Sequence, residues 1–316
     1  MRYILRADAS QTMGSGHVMR LFAIAQELLV RDQKVIFVGS VSNVQWLKKR
    51  LSEIDFFETF EKDLMFISNP ITDVLILDAY HIPTKNYFIQ KKNWKAIAAL
   101  IDKTTPNYDA DLQIYPSITL DWKPTTVKRF LTGPKYIPLR KSIIKNIEME
   151  SIPKRLKIVV VGGGTDLHNF ASAIAMSLMS LSDIFEVNLF SDRMNNQDLD
   201  SRFTIIPFGA DLDEKVNDAD LVFTTASTSC LEFIAREITV GMGCAVDNQE
   251  QYYESFCKLN FAVPIGRYIN GSWKIDHDKI KDLVTNVGLR EELKLNVKNI
   301  IDLNGSKRIV DEIVKL

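Results

Sequence analysis

Apolar residues in this chain come in short runs separated by amphipathic stretches, a pattern that predicts parallel strands joined by crossover helices. Tyr3-Ile4-Leu5 reads as a buried strand. Behind it Val18, Leu21, Phe22, Ala25, Leu28 and Leu29 recur at i, i+3, i+4 and i+7, so one face of a helix beginning near residue 16 is core. Short apolar runs and helical patterns then alternate through 34–39, 43–51, 73–78 and 94–101. Strand, glycine turn and helix begin again at 156–166, followed by Phe170, Ala173, Ile174, Ser177 and Leu178 on one helical face. Further strands are predicted at 185–190, 203–207, 220–225 and 238–242, each alternating with a helix candidate.

Residues 141–155 are charged, contain Pro153 and lack a continuous core pattern, which places a boundary near 150. The fold class predicted is α/β, with two Rossmann-like doubly wound parallel-sheet domains, 1–150 and 151–316, facing a central cleft. A length of 316 residues, 46% of them hydrophobic, suffices for two ordinary domains, each with its own core. With 39 basic and 40 acidic residues and no basic run interleaved with aromatics, the chain lacks a nucleic-acid footprint. Cys230, Cys244 and Cys257 are odd in number and form no Cys-x-x-Cys pair, which fits a reducing cytosol rather than a disulfide frame or a structural zinc. No segment approaches a membrane span, so a soluble, cytoplasmic protein without stable membrane insertion is expected; its oligomeric state is left open. The stretch 46–50 reads as a solvated helix face.

Candidate chemistry gathers where strands turn into helices. Gly14 and Gly16 allow a tight turn, and His17 stands in the first turn of the following helix, whose free amides and positive end attract anions and disfavour imidazolium. A neutral imidazole there can act as a general base, or simply tie a neighbouring loop. Gly162-Gly163-Gly164-Thr165-Asp166 reads as a phosphate-facing turn with Thr165 or Asp166 capping the next helix, or as a turn that only packs helix on strand. After the 220–225 strand, Ser227, Thr228 and Ser229 open a helix, and Glu232, one turn in, can receive both hydroxyls of a ribose, or be an ordinary solvated glutamate. Asn248 and Gln249 offer side-chain amides or form a plain turn. Tyr80, beyond the 73–78 strand, can bond substrate or a water. Asp-x-Asp tripeptides at Asp109/Asp111, Asp198/Asp200, Asp211/Asp213 and Asp218/Asp220 are discounted as a metal site, because Asp111 and Asp220 lead into strands at the ends opposite the glycine turns. His168 reads as a surface histidine.

Several motifs, in order, carry a resemblance to a known family. They are Arg6-x-Asp8-x-Ser10 with Gly14-x-Gly16-His17-x-x-Arg20, Leu75-Ile-Leu-Asp78-Ala-Tyr80, and Gly133-Pro-Lys-Tyr136-x-x-Leu139-Arg140. In the second half follow Gly163-Gly164-Thr165-Asp166, Glu232, Asn248-Gln249 and Asp302-x-x-Gly305-x-x-Arg308. Together they resemble the PseG-type UDP-sugar hydrolases of pseudaminic acid biosynthesis and their spore-coat polysaccharide relatives, nearly end to end. The resemblance implies a GT-B architecture and metal-independent, cofactor-free hydrolysis of a UDP-linked diacetamido trideoxy sugar with inversion at the anomeric carbon. It makes His17 the base, with Tyr80 and Asn248 as further catalytic residues. Together with the turn and helix-start readings above, it places Asp8, Ser10, Gly14, Gly16, Arg20, Gly163, Gly164, Thr165, Thr228, Ser229, Glu232 and Gln249 against the substrate. The chain departs from the pattern at Ala79, where the family often has histidine, and at Ser227-Thr228-Ser229, where glycines usually stand. An inverting MurG-like glycosyltransferase and a non-catalytic nucleotide-sugar-binding relative are the alternatives.

Overall fold

The computed structural model describes the whole chain except residues 11, 42–43, 59–67, 104, 120–121, 125–127, 146–154, 165, 167 and 209–211, and the side chains of 196 and 248. It divides into two units, Met1–Lys141 with Asp302–Leu316, and Ser142–Ile301.

In the first unit the chain runs β1 (Arg2–Arg6), α1 (Gly16–Val30), β2 (Lys34–Gly39), α2 (Gln45–Leu51), β3 (Asp55–Glu58), β4 (Asp73–Leu77), β5 (Ala96–Leu100), β6 (Leu112–Tyr115) and β7 (Phe130–Thr132). These strands form one sheet in the order β3-β2-β1-β4-β5-β6-β7, with every pairing parallel. Alternation along the strands supplies two cores. Tyr3, Leu5, Val74, Ile76, Ala96 and Ala98 face the layer holding α1 and α2. Ile4, Leu75, Leu77, Ile97 and Ala99 face a layer of short turns carrying Phe88, Ile89, Trp94 and Tyr108. A sheet covered on both sides has uniformly apolar strands, which is why 94–101, read from its pattern as helical, is strand β5 instead. Periodicity does not separate five consecutive buried apolar residues in a strand from a buried helical turn.

The second unit contains β8 (Leu156–Val161), α3 (Phe170–Met179), β9 (Phe185–Phe190), β10 (Phe203–Ile206), α4 (Leu212–Val216), β11 (Leu221–Thr225), α5 (Thr228–Ala235), β12 (Thr239–Cys244), α6 (Glu250–Lys258), β13 (Val263–Ile269), β14 (Ser272–Ile275), α7 (His277–Thr285) and α8 (Val287–Val297). Its sheet order is β10-β9-β8-β11-β12-β13-β14, parallel except for the antiparallel β13–β14 hairpin. Phe170, Ile174 and Leu178 of α3 are buried against Ile158, Val160 and Phe223 in one core.

The last helix, α9 (Gly305–Ile313), belongs to the first unit, not to a 151–316 domain. Its Ile309, Val310 and Ile313 join the core of α1, and Ser306 bonds the backbone of Leu139 at 3.0–3.1 Å. This packing has a counterpart on α1, where Ile24 is fully buried although it lies outside the predicted stripe, while Leu29 is exposed. Each such fully buried aliphatic side chain contributes roughly 1.5–3 kcal/mol. Among the described residues no helix is long and apolar enough to cross a membrane.

Candidate active site

In a doubly wound sheet the strands on either side of the order reversal leave a crevice at their carboxyl ends. In the first unit that reversal lies between β1 and β4, paired from Arg2↔Asp73 to Arg6↔Leu77. The segments leaving these two strands carry the candidate chemistry. After β1 the chain turns at Ser10–Gly14, where the Gly14 N–H donates to the Ser10 carbonyl at 2.9 Å with Gly14 at φ +79°. Helix α1 then begins at Gly16, so His17 is in its first turn.

His17 lies against the other strand end. Its Nδ1 is 2.6 Å from Asp78 Oδ1, and Arg20, one turn along α1, donates to both oxygens of Asp78 at 2.8 Å. Arg20 Nη2 is also 2.9 Å from His17 Nδ1. Asp78 is fully buried, which alone would push its pKa up, but Arg20 and His17 hold it below the ordinary carboxylate value. In the tautomer that donates Nδ1–H to this carboxylate, Nε2 carries the lone pair. The Tyr80 ring packs edge-on to His17, with centroids 4.6 Å apart.

A second carboxylate, Asp8, is cross-tied in the same way. It accepts from Arg6 Nη1 at 2.5 Å, from the Ser40 N–H at 2.7 Å, and pairs with His81 Nε2 at 2.7 Å. Burial favours its neutral form, but His81, Arg6 and the Ser40 amide outweigh this and hold the carboxyl well below the usual range. The close approach of this loop to β2 explains Gly39, where a Cβ would stand 1.8 Å from the Ala7 carbonyl oxygen.

Of the predicted first-unit residues, the fold brings His17, Arg20 and Tyr80 together. Arg20 and Asp8 point at protein groups; Ser10 Oγ accepts the Met13 N–H at 3.0 Å and closes its own turn. Asp78, Arg6 and His81 were missed as site residues. Asp78 stood within the quoted 75–80 motif, but its partners lie 61 and 58 residues away, beyond the reach of local spacing.

The second unit repeats the geometry with different chemistry. Its reversal lies between β8 and β11. Gly162 and Gly163 leave β8, with Gly163 at φ +90°, a conformation that favours glycine. Asp166 is buried and accepts the Phe170 and Ala171 N–H groups at 2.7 and 3.0 Å, so it, rather than a ligand, satisfies the first amides of α3. Burial raises its pKa, only partly opposed by those two amides. Gly162 is required beside it, because a Cβ there would stand 2.0 Å from Asp166 Oδ1. Thr165 lies outside the described residues.

Helix α5 starts differently. Its N-cap residue Ser227 makes no side-chain capping bond among the described residues. Thr228 and Ser229 are its first two residues, half-buried, and Glu232 is half-buried one turn in. Gln249 spends its side-chain oxygen on the Ala245 N–H at 2.8 Å, the plain-turn reading of 247–249; Asn248 is in that turn, and its side chain lies outside the described set. His168 is not simply on the surface: its ring lies 4.4 Å from that of Tyr268 with Nε2 buried.

No three His, Cys, Asp or Glu side chains gather as a metal-binding group among the described residues. Four of the discounted aspartates have structural partners: Asp111 and Asp220 accept strand amides at 2.8 Å, Asp213 pairs with buried Arg236 at 2.6 Å, and Asp200 with Arg202 at 2.7 Å; Asp211 lies outside the described residues.

No protein-family model matches the chain. A protein of Methanocaldococcus jannaschii known as uncharacterized protein MJ1062 is 25% identical over 286 residues, 82% of this chain and 58% of its own length. The chain thus spans just over half of the curated relative it matches. Solved structures align along nearly the whole chain. MurG of Acinetobacter baumannii is 13% identical, with 100% of both chains covered and a TM-score of 0.58. The spinosyn rhamnosyltransferase SpnG, complexed with thymidine diphosphate, is 10% identical over 98% of this chain and 100% of its own, at 0.62. Arabidopsis thaliana UGT89C1, complexed with UDP-L-rhamnose, is 12% identical over 99% and 98%, at 0.64. The fold is GT-B. At these identities the likeness extends to the fold alone.

Proposed function

We propose that the chain hydrolyses a UDP-activated amino deoxy sugar, releasing UDP and free sugar with inversion at the anomeric carbon, in nonulosonic (pseudaminic-type) acid or surface polysaccharide biosynthesis. The observation that carries this reading is His17 held by buried Asp78 and Arg20 beside Tyr80. When Nδ1–H donates to this carboxylate, Nε2 can take a proton, and Asp78 stabilises the imidazolium then formed. Water loses that proton to Nε2 as its oxygen bonds the anomeric carbon, and the bond from that carbon to the diphosphate oxygen breaks, UDP leaving with the electron pair.

The second unit supplies the nucleotide's contacts in this reading. The α5 start at Thr228 and Ser229 and the Gly163-Gly164 turn offer amides to the diphosphate, and Glu232 receives the ribose hydroxyls. The α3 start contributes less than its glycine turn promised, since Asp166 already holds its amides. A diphosphate is a good leaving group, so fixed amide dipoles can carry its developing charge without a resident cation.

An inverting glycosyltransferase is the second reading, favoured by fold neighbours that include the rhamnosyltransferase SpnG and the calicheamicin glycosyltransferase CalG4. A sugar hydroxyl would then take the place of water at His17. One assay separates the two. UDP release from a UDP-sugar panel with no acceptor, unaffected by chelator and incorporating labelled oxygen from water at the anomeric carbon, supports hydrolysis. UDP release that begins only when an acceptor is added overturns it in favour of transfer.

A further inference from the structure

The proposed reaction leaves one histidine of the first unit unused. The two histidine–carboxylate pairs are crossed: the segment after β1 gives His17 and Asp8, that after β4 gives Asp78 and His81, and each histidine is held by the other segment's carboxylate. Tyr80 stands beside both rings, its centroid 4.6 Å from His17 and 6.4 Å from His81, edge-on in each case. Tying the two segments together does not require His81, because Asp78 is already joined to His17 and Arg20 of α1, and Asp8 has Arg6 and the Ser40 amide as partners besides. Nor is His81 buried as a structural ion pair would be; 34% of its side chain is exposed, against 13% for His17.

The turn that presents His81 is rigidly built. The Ile82 N–H donates to the Ala79 carbonyl at 3.0 Å, and the buried Tyr108 hydroxyl lies 2.8 Å from the carbonyl oxygens of both Ala79 and Ile82. With Nε2–H donated to Asp8, the other nitrogen, Nδ1, offers a lone pair. A lone pair accepts O–H or N–H donors, which a sugar's hydroxyl and acetamido groups provide and ionised phosphate oxygens do not, and in the reading above the nucleotide's ribose hydroxyls go to Glu232 of the second unit.

We propose that His81 is a second substrate-contacting residue, an imidazole braced by Asp8 that hydrogen-bonds a hydroxyl or amide N–H of the sugar and selects the sugar rather than the nucleotide. This rests on the nucleotide-sugar reading above.

The test compares wild type with His81→Phe and His81→Gln. It measures KM and kcat for the best UDP-sugar of a panel, Kd for UDP alone by calorimetry, and the thermal midpoint. His81→Phe is expected to raise KM about tenfold, with the UDP Kd unchanged, and His81→Gln, which keeps a donor for Asp8 and an acceptor for the sugar, to recover part of the loss. An unchanged KM in His81→Phe, or a UDP Kd weakened as much as KM, overturns the proposal while leaving the hydrolase reading intact. Should His81→Phe not fold, the wild-type His81 ring signal decides: it must shift with the UDP-sugar and not with UDP, and equal shifts overturn the proposal. A wild type that neither binds nor turns over any UDP-sugar removes the functional reading, and this proposal with it.

Discussion

The two units place the same device, a buried aspartate beyond a central strand, in opposite electrostatic settings. Asp78 is surrounded by Arg20 and His17, and its pKa falls despite burial. Asp166 meets two backbone amides, and burial wins, raising its pKa. Arg20 and His17 side chains surround the first carboxylate. Amides around the second make a helix cap. The difference teaches that like topology does not give like chemistry: side-chain ion pairing surrounds the aspartate of the first unit, and helix capping occupies that of the second.

The largest expected effect is that of Asp78→Ala, which removes the carboxylate that half-buried Arg20 and His17 share and should cost about 3–5 kcal/mol in urea unfolding. Asp166→Ala should cost only about 1–2 kcal/mol, the loss of a cap on α3. Equal losses would erase the contrast. Gly162→Ala should destabilise by roughly 1–3 kcal/mol, because its Cβ cannot coexist with Asp166 Oδ1 in the present position; a neutral result would show that the Asp166 cap is not held there.

Acid gives the smallest and sharpest comparison. Asp8 and Asp78 have folded-state pKa values below the ordinary 3.8, so their stabilisation is present above that value and is lost as pH falls through the lower, folded-state one. Asp166 is raised, so the unfolded chain releases its proton first, and stability falls as pH rises through the window just above 3.8. The urea midpoint measured below about pH 5 should therefore lose part of its acid sensitivity in Asp78→Asn and not in Asp166→Asn.

Much of this arrangement was legible in the chain. Short apolar runs and period-3.6 patterns located β1, α1, β2, β4, β8 and β9 within a residue or two, and the glycine turns marked His17 and the 162–166 segment. What failed shares one cause. That β1 lies beside β4, which brings His17 to Asp78 and His81 to Asp8, is a property of sheet order, and no local period encodes it. The same holds for the return of α9 to α1, which joins the last residues of the chain to the first unit's core. Strand β5, buried on both faces like β4, carries no period that tells it from a buried helical turn, and its place after a strand in the alternating pattern made it read as helix.

The central claim is that His17 takes the proton of the attacking group. It is tested most directly by single-turnover UDP release from an accepted UDP-sugar by His17→Ala, with UDP affinity measured on the same preparation. The account predicts a rate lower by about 10²–10⁴-fold with UDP binding retained. Release at the wild-type rate by a folded His17→Ala protein would contradict it.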